Sequence, residues 1–438
     1  MSGRETALNV LIACRTQGGW SNAVLKETIH RDKLDRREAA LATRLCYGVL
    51  QNRGFLDFYL KQLLTGKLKD LHPVIHDILH LGLYQLLKLE KIPQSAAVNE
   101  SVALAKKYCK KQKFAPGLVN AVLRNCVRNR ENLTDPQALS DKYSHCQELI
   151  DVLQESVGAD KIEKMLAANN EIPPTVAQVN TLKTTTPQLL SKLEEEGVTA
   201  QPHPWLEDAL VLTSTGSLES LQTFRDGLFY VQDTAAKLCV LWGGLEDKDQ
   251  TVLDSCAAPG GKSFAAAICM AGKGTIISCD IHSHKVTLIQ KGAQRLGLGN
   301  ITACQQDATV YNPAWHQQMD VVIADVPCSG YGIIRKKPDI REKAPSAMTQ
   351  LPALQQSILE NQARYVKPGG LLIYSTCTVL RRENEDVVRE FLKNHPEYAA
   401  EALPLPVIFP ENTNGMFTFI PGEYDTDGFF LCRLRRKL

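Results

Sequence analysis

The chain has 438 residues, 44% hydrophobic and 22% charged, which predicts two or three ordinary globular domains and disfavours disorder. No run approaches 18 apolar residues without charge, and Met1-Ser2-Gly3-Arg4-Glu5 lacks the layout of a signal peptide, so a cytoplasmic protein without a membrane partner is expected. The net charge of +2 hides an asymmetry: residues 1–130 hold 22 Lys and Arg against 10 Asp and Glu, which fits a polyanion such as nucleic acid, although solvated helix faces also carry lysine.

The first 130 residues predict helices. Val119, Val122, Leu123, Cys126 and Val127 recur at helical spacing, and Val74, Ile75, Ile78, Leu79, Leu81, Leu83 and Leu86 make a broader stripe. His72, His76 and His80 lie four apart after Pro73 opens a helix. No carboxylate or cysteine completes a ligand set with them, so they are expected to be ordinary helix residues and no metal is expected. Arg130 to Pro136 is a turn-rich exit into a connector.

From about 145 to 235 the pattern is mixed. Val176–Asn180 predicts a strand, Thr186 a cap for a helix that begins at Pro187 and stops at Gly197, and Ala209–Thr213 a second strand. This is a small α+β sheet domain of ferredoxin-like kind. Beyond 236, strands and helices alternate, which predicts a parallel sheet covered on both faces. Strands are expected at Thr251–Asp254, Thr275–Asp280, Ile301–Cys304, Val321–Asp325 and Leu371–Ser375, helices at Lys262–Met270 and Ser283–Leu296, and a closing hairpin at Met416–Ile420 and Phe429–Leu434.

Ligands of such sheets bind beyond the carboxyl ends of the strands. There Cys256-Ala257-Ala258-Pro259-Gly260-Gly261-Lys262 follows the first strand, Asp280 ends the second, Asp307 follows the third and Asp325 ends the fourth. A Walker phosphate loop would require glycine at Cys256, and Ala258-Pro259-Gly260-Gly261 does not make a dinucleotide fingerprint. S-adenosylmethionine fits best, because it needs close backbone approach and carboxylates but no pyrophosphate cradle.

Thirteen cysteines, odd in number and without a Cys-x-x-Cys pair, predict reduced thiols. Most are expected to be small buried hydrophobes, among them Cys14, Cys46, Cys109, Cys126, Cys239, Cys269, Cys279, Cys304 and Cys432. Cys328, in Asp325-Val326-Pro327-Cys328-Ser329-Gly330, and Cys377, in Ser375-Thr376-Cys377-Thr378, each follow a buried strand. Two thiols beside a methyl-donor site suit pyrimidine methylation at carbon 5, which needs a thiolate at carbon 6 and a second group for release. Asp325 could bond N3 or the exocyclic amine of the ring. Arg335, Lys336 and Lys337 are placed to hold phosphates.

Together, Ser255 to Lys262, Asp325 to Gly330, and Ser375-Thr376-Cys377 with Glu383-Asn384-Glu385 resemble the motifs of the RNA 5-methylcytosine methyltransferases of the NOL1/NOP2/Sun type. Asp35-Arg36-Arg37, Gly82 to Leu86 and Gly117 to Arg124 resemble a NusB-type helical domain, a fusion typical of the bacterial RsmB (Sun, Fmu) subfamily. Departures are Gln178 for the arginine of an Arg-x-Asn turn, Val326 for alanine and Thr378 for serine. The resemblance implies Cys377 as nucleophile, Cys328 as the residue assisting release, and S-adenosylmethionine contacts at Cys256, Ala257, Ala258, Pro259, Gly260, Gly261, Lys262, Asp280, Asp307 and Asp325.

It implies a multidomain α and α/β protein: a NusB-like RNA-binding domain over 1–140, a connector and small RRM/ferredoxin-like domain over 141–235, and a Rossmann-like catalytic domain over 236–438. The expected activity is carbon-5 methylation of a cytosine in 16S ribosomal RNA, free or partly assembled, with no obligate protein partner. The alternatives are another RNA such as tRNA, or an RNA-binding assembly factor.

Overall fold

The computed structural model describes residues 1–17, 21–213, 215–245, 249–404, 408–410 and 412–438. They form two units: residues 1–154, 159–171 and 334–344 in the first, and 155–158, 172–333 and 345–438 in the second. No described helix is long and apolar enough to cross a membrane.

The first unit is helical: α1 (Gly3–Gln17), α2 (Ser21–Arg31), α3 (Arg36–Gln51), α4 (Arg53–Leu63), α5 (Pro73–Lys88), α6 (Gln94–Tyr108), α7 (Ala115–Asn129), α8 (Leu139–Tyr143), most of α9 (Gln147–Val157) and α10 (Ile162–Ala168). Asp35 caps α3 by accepting from the Glu38 amide, and Pro73 opens α5 where an amide hydrogen would go unused. The stripe of α5 is broad because α1, α3, α4, α6 and α7 all pack on it. Ile75, Ile78, Leu79, Leu81, Leu83 and Leu86 are buried there, as are Val119, Val122, Leu123 and Cys126 of α7, with Val127 at the margin. Gly82 allows this packing, since a Cβ there would lie 2.6 Å from a Leu123 methyl.

The histidines of α5 depart from expectation. Nε2 of His76 and of His80 lie 2.6 and 2.8 Å from Oδ1 of Asp57 on α4, so a carboxylate does join them. It comes from a neighbouring helix, which a reading of spacing along one helix does not reach.

Residues 334–344 also belong to this unit, although they follow Cys328 closely in the chain. Arg341 is buried and donates to the carbonyls of Gln51 (2.7 Å) and Asn169 (3.2 Å) and to Oδ1 of Asn170 (2.9 Å). Ser21 donates to Asp339 at 2.6 Å, and Arg53 pairs with Glu342. Arg335 is buried in the same segment, which corrects the expectation that it holds phosphate; Lys337 is exposed.

The second unit contains two sheets. The smaller comprises β1 (Thr175–Val179), β2 (Thr199–Pro202), β3 (Ala209–Thr213) and β4 (Phe229–Val231) in the order β2-β3-β1-β4, all antiparallel, with α11 (Thr186–Glu195) and the short α12 (Gln222–Arg225). Thr185, not Thr186, caps α11, in a reciprocal box with Gln188. Gln178 is buried in β1 and donates to the Gln232 carbonyl, so its side chain serves the sheet interior.

The larger sheet follows α13 (Thr234–Leu241). Its elements are β5 (Thr251–Asp254), α14 (Gly261–Cys269), β6 (Thr275–Asp280), α15 (Ser283–Leu296), β7 (Ile301–Gln305), β8 (Met319–Asp325), α16 (Leu351–Ala363), β9 (Val366–Thr376), α17 (Glu385–Asn394), β10 (Tyr398–Ala400), β11 (Met416–Phe419) and β12 (Phe429–Arg436). The order is β10-β12-β9-β8-β5-β6-β7, with β9 to β7 parallel and β12 antiparallel between β10 and β9; β11 pairs with β12. The order reverses between β5 and β8, which makes their carboxyl ends the crevice of a doubly wound sheet. β9 is longer than expected and β2, β4 and β10 were not expected, because short or edge strands carry little periodicity.

Arg341→Ala leaves several buried oxygens of the first unit without a donor. It should lower the stability of the helical unit by about 2–4 kcal/mol, read from the urea midpoint of that unit's helical signal. An unchanged midpoint would show that these oxygens find other donors.

Candidate active site

Five strand ends bring the expected residues to one edge in spatial order. Cys377 follows β9, Asp325 ends β8 and Cys328 follows it, Cys256 to Lys262 follow β5, Asp280 ends β6 and Asp307 follows β7. The Sγ atoms of Cys328 and Cys377 are 3.1 Å apart. Asp280 and Asp307 lie one and two strands beyond β5, away from the thiols.

Strand pairing places the two sulfurs together. Asp325 is in register with Ser375, and the Val326 amide donates to the Ser375 carbonyl at 3.0 Å, so the two strands leave the sheet side by side. Buried Glu383 then braces the turn through Oε2, accepting 2.9 Å bonds from the Ser329 amide and from Nε2 of Gln355. Gln355 also donates to the Pro327 carbonyl, Ser329 Oγ to Thr378 Oγ1 at 2.8 Å, and Tyr374 to the Glu383 carbonyl at 2.6 Å. On the Cys377 side, Thr376 donates to Asn384, whose amide returns a bond to the Thr378 carbonyl. The hydrogen bond to the Cys377 sulfur, together with burial, holds the Cys328 thiol well above its ordinary pKa. Either sulfur can donate across the 3.1 Å contact.

The β5 turn is fixed to both neighbouring strands. The Ala257 amide donates to the Cys279 carbonyl on β6, and the Ser255 amide to the Ile323 carbonyl on β8. Gly260 has φ +112 and precedes α14; a Cβ there would meet the Phe264 ring at 2.4 Å, so glycine is required twice over. Lys262 donates to Asp325 Oδ2 at 2.6 Å and lies over the Phe429 ring, and Ser375 donates to Asp325 Oδ1 at 2.8 Å. Burial works against the Lys262 ammonium, but the Asp325 charge and hydrogen bond, joined by the nearby Cys239 and Asp254, together outweigh it and raise its pKa. Burial pushes the Cys256 thiol up to about 12, so it lines the turn as a neutral group.

Asp280 Oδ1 accepts from the His282 amide at 2.9 Å, with Lys285 3.7 Å from Oδ2. Asp307 Oδ1 accepts from the amide and hydroxyl of Thr309 at 2.8 and 2.7 Å. Asp254 is fully buried and accepts from Ser263 at 2.7 Å, which in turn accepts from Ser278. Of the remaining thiols, Cys279 and Cys304 face each other at 3.3 Å and Cys146 is exposed.

Sequence reasoning missed the bracing residue Gln355, the bond from Ser375 to Asp325, the Lys262–Asp325 pair and the Asp254–Ser263 chain. Glu383 stands in a visible polar motif just after Cys377, but Gln355 lies inside a helix whose placement over the turn has no sequence signal.

Residues 244–435 match the family model of the 16S rRNA methyltransferase RsmB/F, residues 1–128 the NusB family, and residues 145–219 the ferredoxin-like domain of RsmF/B-like methyltransferases. The probable ribosomal RNA small subunit methyltransferase B of Bacillus subtilis is 36% identical over 447 residues, covering 100% of this chain and 99% of the relative. A second of the same name from Synechocystis is 32% identical over all of both chains, and the Salmonella paratyphi A methyltransferase B is 32% identical over 93% of this chain and 92% of its own. Among solved structures, PH0851 superposes with a TM-score of 0.82 at 24% identity over 100% of this chain and 99% of its own. NSun6 from Pyrococcus horikoshii, solved with SFG, gives 0.59 at 20% identity over 66% and 98%.

Fold and matches together define a methyltransferase domain joined to ferredoxin-like and NusB domains. The chain belongs to the RsmB/F family of 16S rRNA methyltransferases.

Burial raises the Asp254 carboxyl to about 7, opposed by the Ser263 hydrogen bond and the Lys262 charge. The folded chain therefore holds a proton that the unfolded chain releases between about pH 4 and 7, and stability falls as pH rises through that window. Asp254→Asn keeps an acceptor for Ser263 and removes the titration. The variant should gain on the parent by a few kcal/mol, to order of magnitude, between pH 4 and 7; parallel pH profiles of the two unfolding midpoints would refute the assignment.

Proposed function

We propose that this chain methylates carbon 5 of a cytosine in 16S ribosomal RNA, free or partly assembled, in the cytoplasm, using S-adenosylmethionine and a covalent adduct at Cys377. The observation that carries the reading is the 3.1 Å approach of Cys377 and Cys328 at the crevice where the strand order reverses. In this reading residues 1–140 hold RNA, 141–235 add the connector and small sheet, and 236–438 carry the chemistry.

The residues present fit S-adenosylmethionine. Asp280 is a buried carboxylate fixed by a backbone amide at the end of β6, suited to a ribose diol, and Asp307 stands one strand further along. Cys256, Ala257, Ala258, Pro259, Gly260 and Gly261 offer the backbone turn. Lys262 is tied to Asp325, so it is no phosphate ligand, which favours a sulfonium cofactor over a nucleoside triphosphate. The same preference is supported by the NSun6 structure with SFG, an S-adenosylmethionine analogue. When bound, the cofactor supplies an electrophilic methyl carbon.

Catalysis by the chain's own residues runs in two stages. The Cys377 thiolate adds to carbon 6 of the cytosine, and the displaced electrons are accommodated toward N3, making carbon 5 nucleophilic. Asp325, held by Lys262 and Ser375 yet partly exposed, bonds N3 or the exocyclic amine and fixes the ring. After methylation the carbon-5 proton passes to solvent water or hydroxide, the carbon–sulfur electron pair returns to Cys377, which leaves as the thiolate, and the carbon 5–carbon 6 double bond re-forms. Cys328, whose sulfur lies 3.1 Å from that of Cys377, assists that release. The target must be an unpaired or flipped base, since carbon 6 is shielded in a stack.

Cys377→Ala should abolish turnover and form no adduct. Cys328→Ala should add to RNA and stall, accumulating a protein–RNA species that survives denaturing electrophoresis. The opposite pattern would exchange the two roles, and full methylation by both variants would defeat the covalent mechanism.

The basic first domain generates a second expectation. Lys110, Lys111 and Lys113 are exposed between α6 and α7, beside exposed Phe114. Reversing the three charges should weaken RNA binding and flatten the plot of log affinity against log salt by roughly 0.7–0.9 for each phosphate no longer neutralised. An unchanged slope would mean that other residues neutralise the phosphates.

A further inference from the structure

Beyond the crevice, the α4–α5 contact of the helical unit gathers a second set of donor atoms. His76 and His80 lie one turn apart on α5, and Asp57 of α4 faces both. Their two Nε2 atoms and the carboxylate oxygen all lie within 4.8 Å of one another. We propose that Asp57, His76 and His80 form a divalent transition-metal site of the zinc class, which staples α4 to α5 independently of the methyltransferase chemistry.

Three observations support it. Two imidazoles at i and i+4 with one carboxylate are a nitrogen-rich donor set that suits zinc, cobalt or nickel and disfavours calcium and magnesium. The His80 side chain is 4% exposed, whereas those of His76 and Asp57 are each 28% exposed, so the cluster has a rigid floor and an open rim. A hydrated ion can enter there and keep water as a fourth ligand. The cation opposing such an ion, Arg53 one turn before Asp57, is itself ion-paired with Glu342.

The required adjustment is small. A tetrahedral ion with bonds of about 2.0–2.1 Å separates its ligands by about 3.3 Å, against 2.6 and 2.8 Å between the nitrogens and Oδ1. Each nitrogen–oxygen distance must open by about 0.5–0.7 Å, and Asp57, at the partly exposed rim, is the ligand placed to give.

The test uses the full chain after chelator treatment, titrated with cobalt(II). One equivalent should bind with visible ligand-field bands and without the near-ultraviolet charge-transfer band of a thiolate, which separates this site from the thirteen cysteines. His76→Gln and Asp57→Asn, both at the open rim, should weaken that binding about tenfold or more. Zinc should raise the unfolding temperature of the parent and not of either variant. Retained affinity in both variants, a thiolate band, or no stoichiometric binding would each overturn the proposal and leave a hydrogen-bonded cluster only.

Discussion

The in-register parallel pairing of β8 with β9 is the constraint on which the crevice depends. Asp325 lies opposite Ser375, so Cys328, three residues beyond Asp325, and Cys377, two beyond Ser375, emerge together and their sulfurs meet. A slip of one residue would turn alternate side chains to the other face. The buried apolar stretches Val321–Ala324 and Leu371–Tyr374, packed between two core layers, resist that slip.

Holding such a turn has a cost that the surrounding network offsets. Glu383 is a buried carboxylate, which is unfavourable unless its oxygens are met by donors; the Ser329 amide and Gln355 meet one of them and thereby aim the Cys328 loop. Lys262 and Asp325 share the same logic, each making the burial of the other tolerable while leaving the carboxylate partly open to the crevice. Polar groups are concentrated at the strand ends because that is where backbone leaves the ladder and needs new partners.

Much of the large sheet was legible because buried parallel strands leave unbroken apolar runs; the strand expected at Thr251–Asp254 and the helix expected at Ser283–Leu296 match the observed bounds. The edge residues could be placed as well, since a doubly wound sheet puts the residue after each strand at one rim. What stayed hidden were relations across the chain. Asp57 is 19 residues from His76, and Gln355 is 28 from Glu383, distances at which spacing says nothing about contact. Arg335 looked like a phosphate ligand because a basic triplet after a loop usually faces water; its side chain is instead buried, in a segment that belongs to the helical unit.

That segment bears on how the protein is made. Its contribution to the helical unit, residues 334–344, is translated some 160 residues after the unit's other parts end at Glu171. At about 5–20 residues per second, the nascent helices wait on the order of ten to thirty seconds before Arg341 can reach the carbonyls of Gln51 and Asn169. During elongation the unit is a template with a gap, and closing it must await most of the β-sheet sequence. The fold therefore cannot mature strictly from the amino end: until this segment emerges, the oxygens that Arg341 meets lack that donor.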